Sequence, residues 1–263
     1  MAALRSTWIL AVTALLWTQP LSTIAKGKPT VLARCASAPD SAAIDPTSVA
    51  SIQAATRKAP PIVRALGREQ RESFKRLLAQ GANANECVLG SSLLAVSAVS
   101  GDLEEMELLL NAGAGPDKPL DDGGGTPLLA ALANARWDAS RLLLRRGANA
   151  RLTTDGGLTG LHELAVARAM KPDSDRADQL SVAEELLRRG ISIDARAGVS
   201  RDTSLMLAAV AGNLELVSLL LAHGADPSIQ NKRGETAATL ARRQNFTGIA
   251  QLLDEAAARR PVR

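Results

Sequence analysis

Thr203-Ser204-Leu205-Met206-Leu207-Ala208-Ala209-Val210-Ala211-Gly212-Asn213-Leu214-Glu215-Leu216-Val217-Ser218-Leu219-Leu220-Leu221-Ala222-His223-Gly224-Ala225-Asp226 is the stretch that decides the fold. Thr203 is placed to cap a helix, its side-chain oxygen accepting an orphan backbone N–H. Ala208 and Ala209 are small enough for a neighbouring helix to approach closely. Gly212 ends this first helix by permitting a left-handed turn. Leu216, Val217, Leu220 and Leu221 recur at helical spacing and form the apolar stripe of a second helix, which Gly224 stops.

The close of this stretch is a phrase that the chain repeats: Leu77-Leu78 with Gly81-Ala82-Asn83, Leu109-Leu110 with Gly113-Ala114, Leu143-Leu144 with Gly147-Ala148-Asn149, Leu186-Leu187 with Gly190, and Leu220-Leu221 with Gly224-Ala225-Asp226. The glycines are 32, 34, 43 and 34 residues apart. A period of about 33 residues marks a helical solenoid, which grows by stacking units rather than around one central core. The 263-residue chain has 2% aromatic residues and no Tyr, so its core must be built from Leu, Ala and Val.

These residues resemble the ankyrin repeat. The family's Thr-Pro-Leu-His-x-Ala opening is matched by Thr126-Pro127-Leu128-Leu129-Ala130-Ala131 and by Thr159-Gly160-Leu161-His162-Glu163-Leu164-Ala165, and is degraded to Pro60-Pro61-Ile62 and Ser92-Leu93-Leu94 in the first two units. Gly234-Glu235-Thr236-Ala237 to Gln251-Leu252-Leu253 resembles a C-terminal cap with a polar exit. The resemblance implies an all-α solenoid over residues 58–258: about five helix-turn-helix units with short β-hairpin or loop fingers, plus the cap, followed by a 259–263 tail. Two departures stand out. The fourth unit carries about ten extra residues against the family period. They fall within Ala169–Leu180, where Pro172 and the charges predict a solvent loop. Asp121-Asp122-Gly123-Gly124-Gly125 makes one finger unusually rich in glycine, which predicts mobility there.

The first 25 residues read as a secretory signal. Arg5 supplies the positive start, Trp8 to Trp17 is a run dominated by apolar residues, Pro20 breaks it, and Thr23-Ile24-Ala25 places cleavage near Ala25. The run is short for a membrane span, which needs about 20 apolar residues. Residues 26–57 then form an extension, partly disordered in expectation. Export makes the compartment oxidising, and Cys35 and Cys87 are the two cysteines; an even count there predicts one disulfide, Cys35–Cys87. It would stabilise by about 4 kcal/mol in the chain-entropy model.

No chemistry is legible. His162 sits in the family's His slot, where the resemblance implies a structural role, and His223 lies in a last helical turn, where its polar tip meets the helix dipole. The two fall in different units and predict no metal site. Asp173, Asp175 and Asp178 lack the turn glycine and closing Glu of a calcium loop. No nucleophile elbow, phosphate loop or zinc-protease signature occurs. A net charge of +4 is mild, and the Arg pairs Arg145-Arg146, Arg188-Arg189, Arg242-Arg243 and Arg259-Arg260 have no stacking aromatics beside them, so nucleic acid is not expected.

The expected function is therefore a non-enzymatic, monomeric protein-binding module, periplasmic or secreted, with no cofactor and no membrane span once the signal is removed. The family resemblance implies that fingers and first helices line a concave groove. It transfers partner binding to Asp121, Asp122, Arg151, Thr154, Asp155, Arg196, Arg201, Asn231, Lys232 and Arg233. The finger charges change sign along the stack, from Asp117, Asp121 and Asp122 to Arg151, Arg196, Arg201, Lys232 and Arg233. The chain also looks like the exported ankyrin proteins of Gram-negative bacteria, which implies either support of a catalase in oxidative-stress defence or immunity to a delivered toxin. An enzyme with its site on the insertion is the remote alternative.

Overall fold

The computed structural model describes residues 60–67, 70–88, 91–118, 125–170 and 176–259. The signal segment and its cleavage point, the 26–57 extension, Cys35, Asp121, Asp122 and the middle of the insertion lie outside them.

Each described unit is a pair of antiparallel helices. In chain order these are α1 (Pro61–Arg64) and α2 (Arg71–Ala79), α3 (Leu93–Ser100) and α4 (Leu103–Asn111), α5 (Pro127–Ala133) and α6 (Trp137–Arg145), α7 (Gly160–Met170) and α8 (Arg176–Arg188), α9 (Ser204–Val210) and α10 (Leu214–Ala222), and α11 (Ala237–Arg243) and α12 (Thr247–Ala258). One two-stranded hairpin, β1 (Cys87–Val88) with β2 (Ser91–Ser92), stands before α3.

The local chemistry that sets these boundaries is hydrogen bonding at helix ends. Ser92, Thr126, Thr203 and Thr236 accept the N–H three residues on, at the starts of α3, α5, α9 and α11. Asp102 and Asn213 do the same for α4 and α10. The Leu-Leu…Gly phrase is the matching stop. At each copy the glycine N–H donates to the second Leu carbonyl, and the next N–H to the first: Gly147 to Leu144 at 3.2 Å and Ala148 to Leu143 at 3.0 Å, with the same pair of bonds at Gly81, Gly113, Gly190 and Gly224. This is the Schellman closure. It needs a left-handed residue, and Gly147 has φ +89°. The first leucine of the phrase, Leu109, Leu143, Leu186 or Leu220, is also fully buried. One leucine pair thus both ends the helix and anchors it.

The core runs continuously along the stack from Ile62 to Leu253. The first helices are short and rich in Ala, and they touch their successors over more of their length than the second helices do. A stack whose first helices lie closer together than its second helices bends toward the first, which makes theirs the inner side. Outer helices are joined by ion pairs: Arg71 with Asp102 and Glu104, Arg141 with Asp178 at 2.5 Å, and Arg176 with Glu215 at 2.6 Å.

The flanks of the insertion are helical, while the stretch around Pro172, where a loop is expected, lies outside the described residues. α7 continues to Met170 and α8 begins at Arg176, so much of the extra sequence is helix, with residues 171–175 outside the description. Its helical part is held from three sides. Gln179 is buried and donates to the Leu164 carbonyl at 2.9 Å while accepting from Asn213 at 3.0 Å, and the Arg141 and Arg176 pairs secure the first turn of α8. Fixed partners favour helix over a free loop.

Two glycine substitutions separate conformation from packing. At Gly147 nothing lies within 4 Å of an added Cβ, so Gly147→Ala should cost only the left-handed backbone, about 1 kcal/mol. At Gly212 an added Cβ would sit 2.5 Å from the Phe246 ring. Gly212→Ala should therefore cost about 2 kcal/mol or more. Urea unfolding of the two variants checks the order.

Candidate functional site

The fingers between second and first helices are tied by a repeating rung. The side chain four residues after the phrase glycine accepts the backbone N–H two residues after the next one. Asn85 accepts from Gly115 at 2.8 Å, Asp117 from Asn149 at 2.8 Å, and Asp194 from Asp226 at 2.9 Å. Arg151 occupies the third slot, and a guanidinium cannot accept. It reaches the other way, donating from Nε to the Arg189 carbonyl at 3.2 Å. Finger edges add Gly198 N–H to Gly156 O at 2.9 Å and Lys232 N–H to Ser200 O at 2.8 Å.

His162 belongs to this framework. Its Nδ1 lies 2.7 Å from Thr159 Oγ1 and its Nε2 lies 3.2 Å from the Asp202 carbonyl. A carbonyl only accepts, so Nε2 carries the proton. Burial depresses the imidazole pKa, which keeps the ring neutral. The ring fastens the α7 start to the following finger, forty residues on.

The ten residues expected to contact a partner divide by what their side chains already hold. Asn231 is 7% exposed and works inside its finger: it donates to Asp202 at 2.9 Å and Glu235 at 3.1 Å, and accepts the N–H groups of Arg233 and Glu235. Thr154 is half-buried, its hydroxyl accepting from Leu158 N–H at 3.1 Å. Arg151 is spent on Arg189, and Arg196 donates to the Gln230 carbonyl of the next finger. Asp155 is exposed. Arg201, Lys232 and Arg233 are exposed and form no side-chain hydrogen bond or ion pair among the described residues. They make a cationic edge on the last two fingers, with Val199, 77% exposed, two residues before Arg201 in sequence. Asp121 and Asp122 lie outside the described residues, so the acidic end of the expected gradient is represented by Asp117 alone, which is engaged with Asn149.

The first helices supply a surface that inspection of the fingers missed. Counted from Ser92, Thr126, Thr159 and Thr203, the fifth position is Val96, Ala130, Glu163 and Leu207, all half-buried, whereas counted from Thr236 in the last unit it is Leu240, which is buried. Three residues on, one turn away on the same face, are Val99, Ala133, Val166 and Val210. Val99 is 39% exposed, and the rest are half-buried. The signal was present in the repeat register, two partly exposed and mostly apolar positions per unit, with Leu207 and Val210 packed against the edge of the core. It becomes visible only after the units are aligned on their caps. Helices α3, α5 and α9 contain no ionisable residue. From α3 to α9, Glu163 is the exception in an apolar strip. Burial pushes its carboxyl pKa up to about 7, with no hydrogen bond or neighbouring charge to offset it.

Among the described residues, no three or more His, Cys, Asp or Glu residues come together as a group that could hold a metal ion. None of their helices is long and apolar enough to cross a membrane.

Glu163 yields a signed pH prediction. Its folded pKa lies above the unfolded value, so the folded state binds more protons between about pH 4.5 and 7, and its contribution to stability falls as pH rises through that window. His162 acts in the opposite sense, costing stability as pH falls below about 6.5. Glu163→Gln isolates the carboxylate. The variant should gain about 1 to 3 kcal/mol over the parent at pH 8 and nothing at pH 4, read by urea titration at both.

Comparison with known proteins matches this geometry. The family model described as ankyrin repeats (3 copies) matches residues 62–168 and 174–259. Among curated relatives, human ankyrin repeat and SOCS box protein 16 is 36% identical over 144 residues, 55% of this chain and 29% of its own. The E3 ubiquitin-protein ligase KEG of Arabidopsis thaliana is 31% identical over 216 residues, 78% of this chain and 13% of its own. The putative palmitoyltransferase ZDHHC13 of Danio rerio is 26% identical over 186 residues, 62% of this chain and 29% of its own. The chain thus spans less than a third of the length of each of these relatives. The match of stacked helix pairs and of the family model over most of the chain places it in the ankyrin-repeat family.

Proposed function

We propose that the chain is an exported, non-enzymatic module that binds a protein partner along the concave surface formed by its first helices and fingers. Ankyrin repeats imply a protein-protein interaction module. The observation that carries the surface assignment is the coincidence of two features on the last fingers and the inner helices. One is an uncommitted cationic edge, Arg201, Lys232 and Arg233. The other is a partly exposed apolar strip on the inner helices. Interfaces combine an apolar centre with a charged rim that steers the partner. Export rests on Arg5, the apolar run and Thr23-Ile24-Ala25. An oxidising compartment is also where a Cys35–Cys87 bridge would persist. That pairing is supported by the count of two cysteines and by the lack of a free thiol among the described residues. Oxidative-stress defence linked to a catalase is the pathway proposed first, on the resemblance to exported bacterial ankyrin proteins, with toxin immunity as the alternative.

The test is affinity capture of the tagged full chain from the periplasmic fraction, with mass spectrometry of co-purifying protein, beside the triple variant Arg201→Glu, Lys232→Glu, Arg233→Glu. A single stoichiometric partner, weakened about tenfold or more by the reversal, is expected for steering by close charges. A catalase-associated partner and a secreted toxin separate the two pathways. Capture unchanged by the reversal would remove the fingers from the site, and a protein confined to the cytoplasm would remove the export reading.

A further inference from the structure

The carboxylates of the outer layer are nearly all matched. Asp102 and Glu104 pair with Arg71, Asp178 with Arg141, Glu185 with Arg188 and Arg189, and Glu215 with Arg176. Glu163 is the contrast. It stands on the inner face, between the Ala130 and Leu207 positions of the neighbouring units, and no described group donates to it or neutralises it. The adjoining inner helices α5 and α9 have no ionisable side chain with which to do so, and His162, next to it in sequence, is committed to Thr159 and Asp202.

We propose that Glu163 is the recognition carboxylate for a single lysine or arginine side chain, carried by an otherwise apolar segment of a protein partner laid along the inner strip. The inference rests on the groove reading above and gives it a chemistry. A wholly apolar segment lying over Val96, Val99, Ala130, Leu207 and Val210 would seal Glu163 away from water with no partner, and an unpaired buried carboxylate is costly. A segment with one cation at that point removes the cost and adds a charge-assisted hydrogen bond in a water-poor setting. The same carboxylate therefore selects for one partner and against others, which is how specificity is built without much net affinity. The fingers restrict the choice further. Arg201, Lys232 and Arg233 repel a generally basic segment, so the cation must be solitary, with neutral or acidic residues on its finger-facing side.

Panning a phage-displayed library of random dodecapeptides against the immobilised full chain tests this. The selected peptide and its Lys→norleucine version are then titrated by fluorescence anisotropy against the parent, Glu163→Gln and Leu207→Glu. The expected winners carry one Lys or Arg within an apolar run. Glu163→Gln should weaken the lysine peptide about tenfold and leave the norleucine peptide bound as tightly as before or more so, since the unpaired carboxylate no longer has to be desolvated; opposite or unequal responses are the signature of a direct coupling in a double-mutant cycle. The variant should remain folded, because it removes a buried charge without changing volume, and circular dichroism checks this. Winners without a basic residue, or without that coupling, but lost with Leu207→Glu, would overturn the role of Glu163 and leave the groove standing. No enrichment, or peptides indifferent to both variants, would overturn this inference and the groove assignment together.

Discussion

The closure of each second helix is the constraint on which everything else rests. Two leucine carbonyls, which a straight helix end would leave without partners, are taken up by the N–H groups of a left-handed glycine and the residue after it. That geometry ends the helix, turns the chain toward the finger and leaves the first leucine pointing into the stack, where it is buried in most units. The phrase is short because all its bonds lie within six consecutive residues. It repeats because each unit needs the same stop. Finger rungs, the tie from His162 to Asp202, and the curvature of the inner layer all presuppose that every chain reversal occurs at the same place in its unit.

Two kinds of surface follow from that regularity. Finger residues are partly consumed in holding neighbouring fingers: Asn85, Asp117 and Asp194 accept from the next backbone, while Arg151 and Arg196 donate to the next carbonyl. What is left over for a partner is a small set, concentrated at the C-terminal fingers. On the inner helices the polar ties, such as Ser97 to Glu105 and His162 to Asp202, are made by other positions, and the outward positions Val96, Val99, Ala130, Ala133, Leu207 and Val210 are free to be apolar. A partner thus meets a charged edge and a greasy floor, which differ in range. Charge acts over a Debye length of about 8 Å at physiological salt, whereas the floor acts only on contact.

The architecture was legible in the sequence because its determinants are local. Thr203 as a cap, Gly212 and Gly224 as stops, and the leucine stripe of α10 each depend on a few neighbouring residues, and each reads the same in the structure. The helical flank of the insertion was not legible for the complementary reason. Gln179, Arg176 and Asp178 find partners on α7, α10 and α6 that are distant in sequence. The site residues were legible as to place only. Composition could not distinguish Arg196, bound to a carbonyl thirty-four residues away, from Arg201, which holds nothing among the described residues. Asn231 looked like a surface amide and is an internal brace, because its finger folds back over it. Glu163 looked like an ordinary helix glutamate, since its apolar neighbours come from other units.

Because each stop is completed within its own unit, groove length is decoupled from foldability. Copying or deleting one unit leaves the glycine closure of every remaining second helix intact, and changes which rung residues, ion pairs and ties such as that from His162 to Asp202 meet across the new junction. Asn and Asp in the rung slot are interchangeable acceptors, so most such junctions would close. Arg151, which donates, marks the junction where unit order matters. Duplication of repeats would therefore preserve the rung on either side of the third finger, while recombination through it would have to carry both the arginine and the helix-end carbonyl it binds.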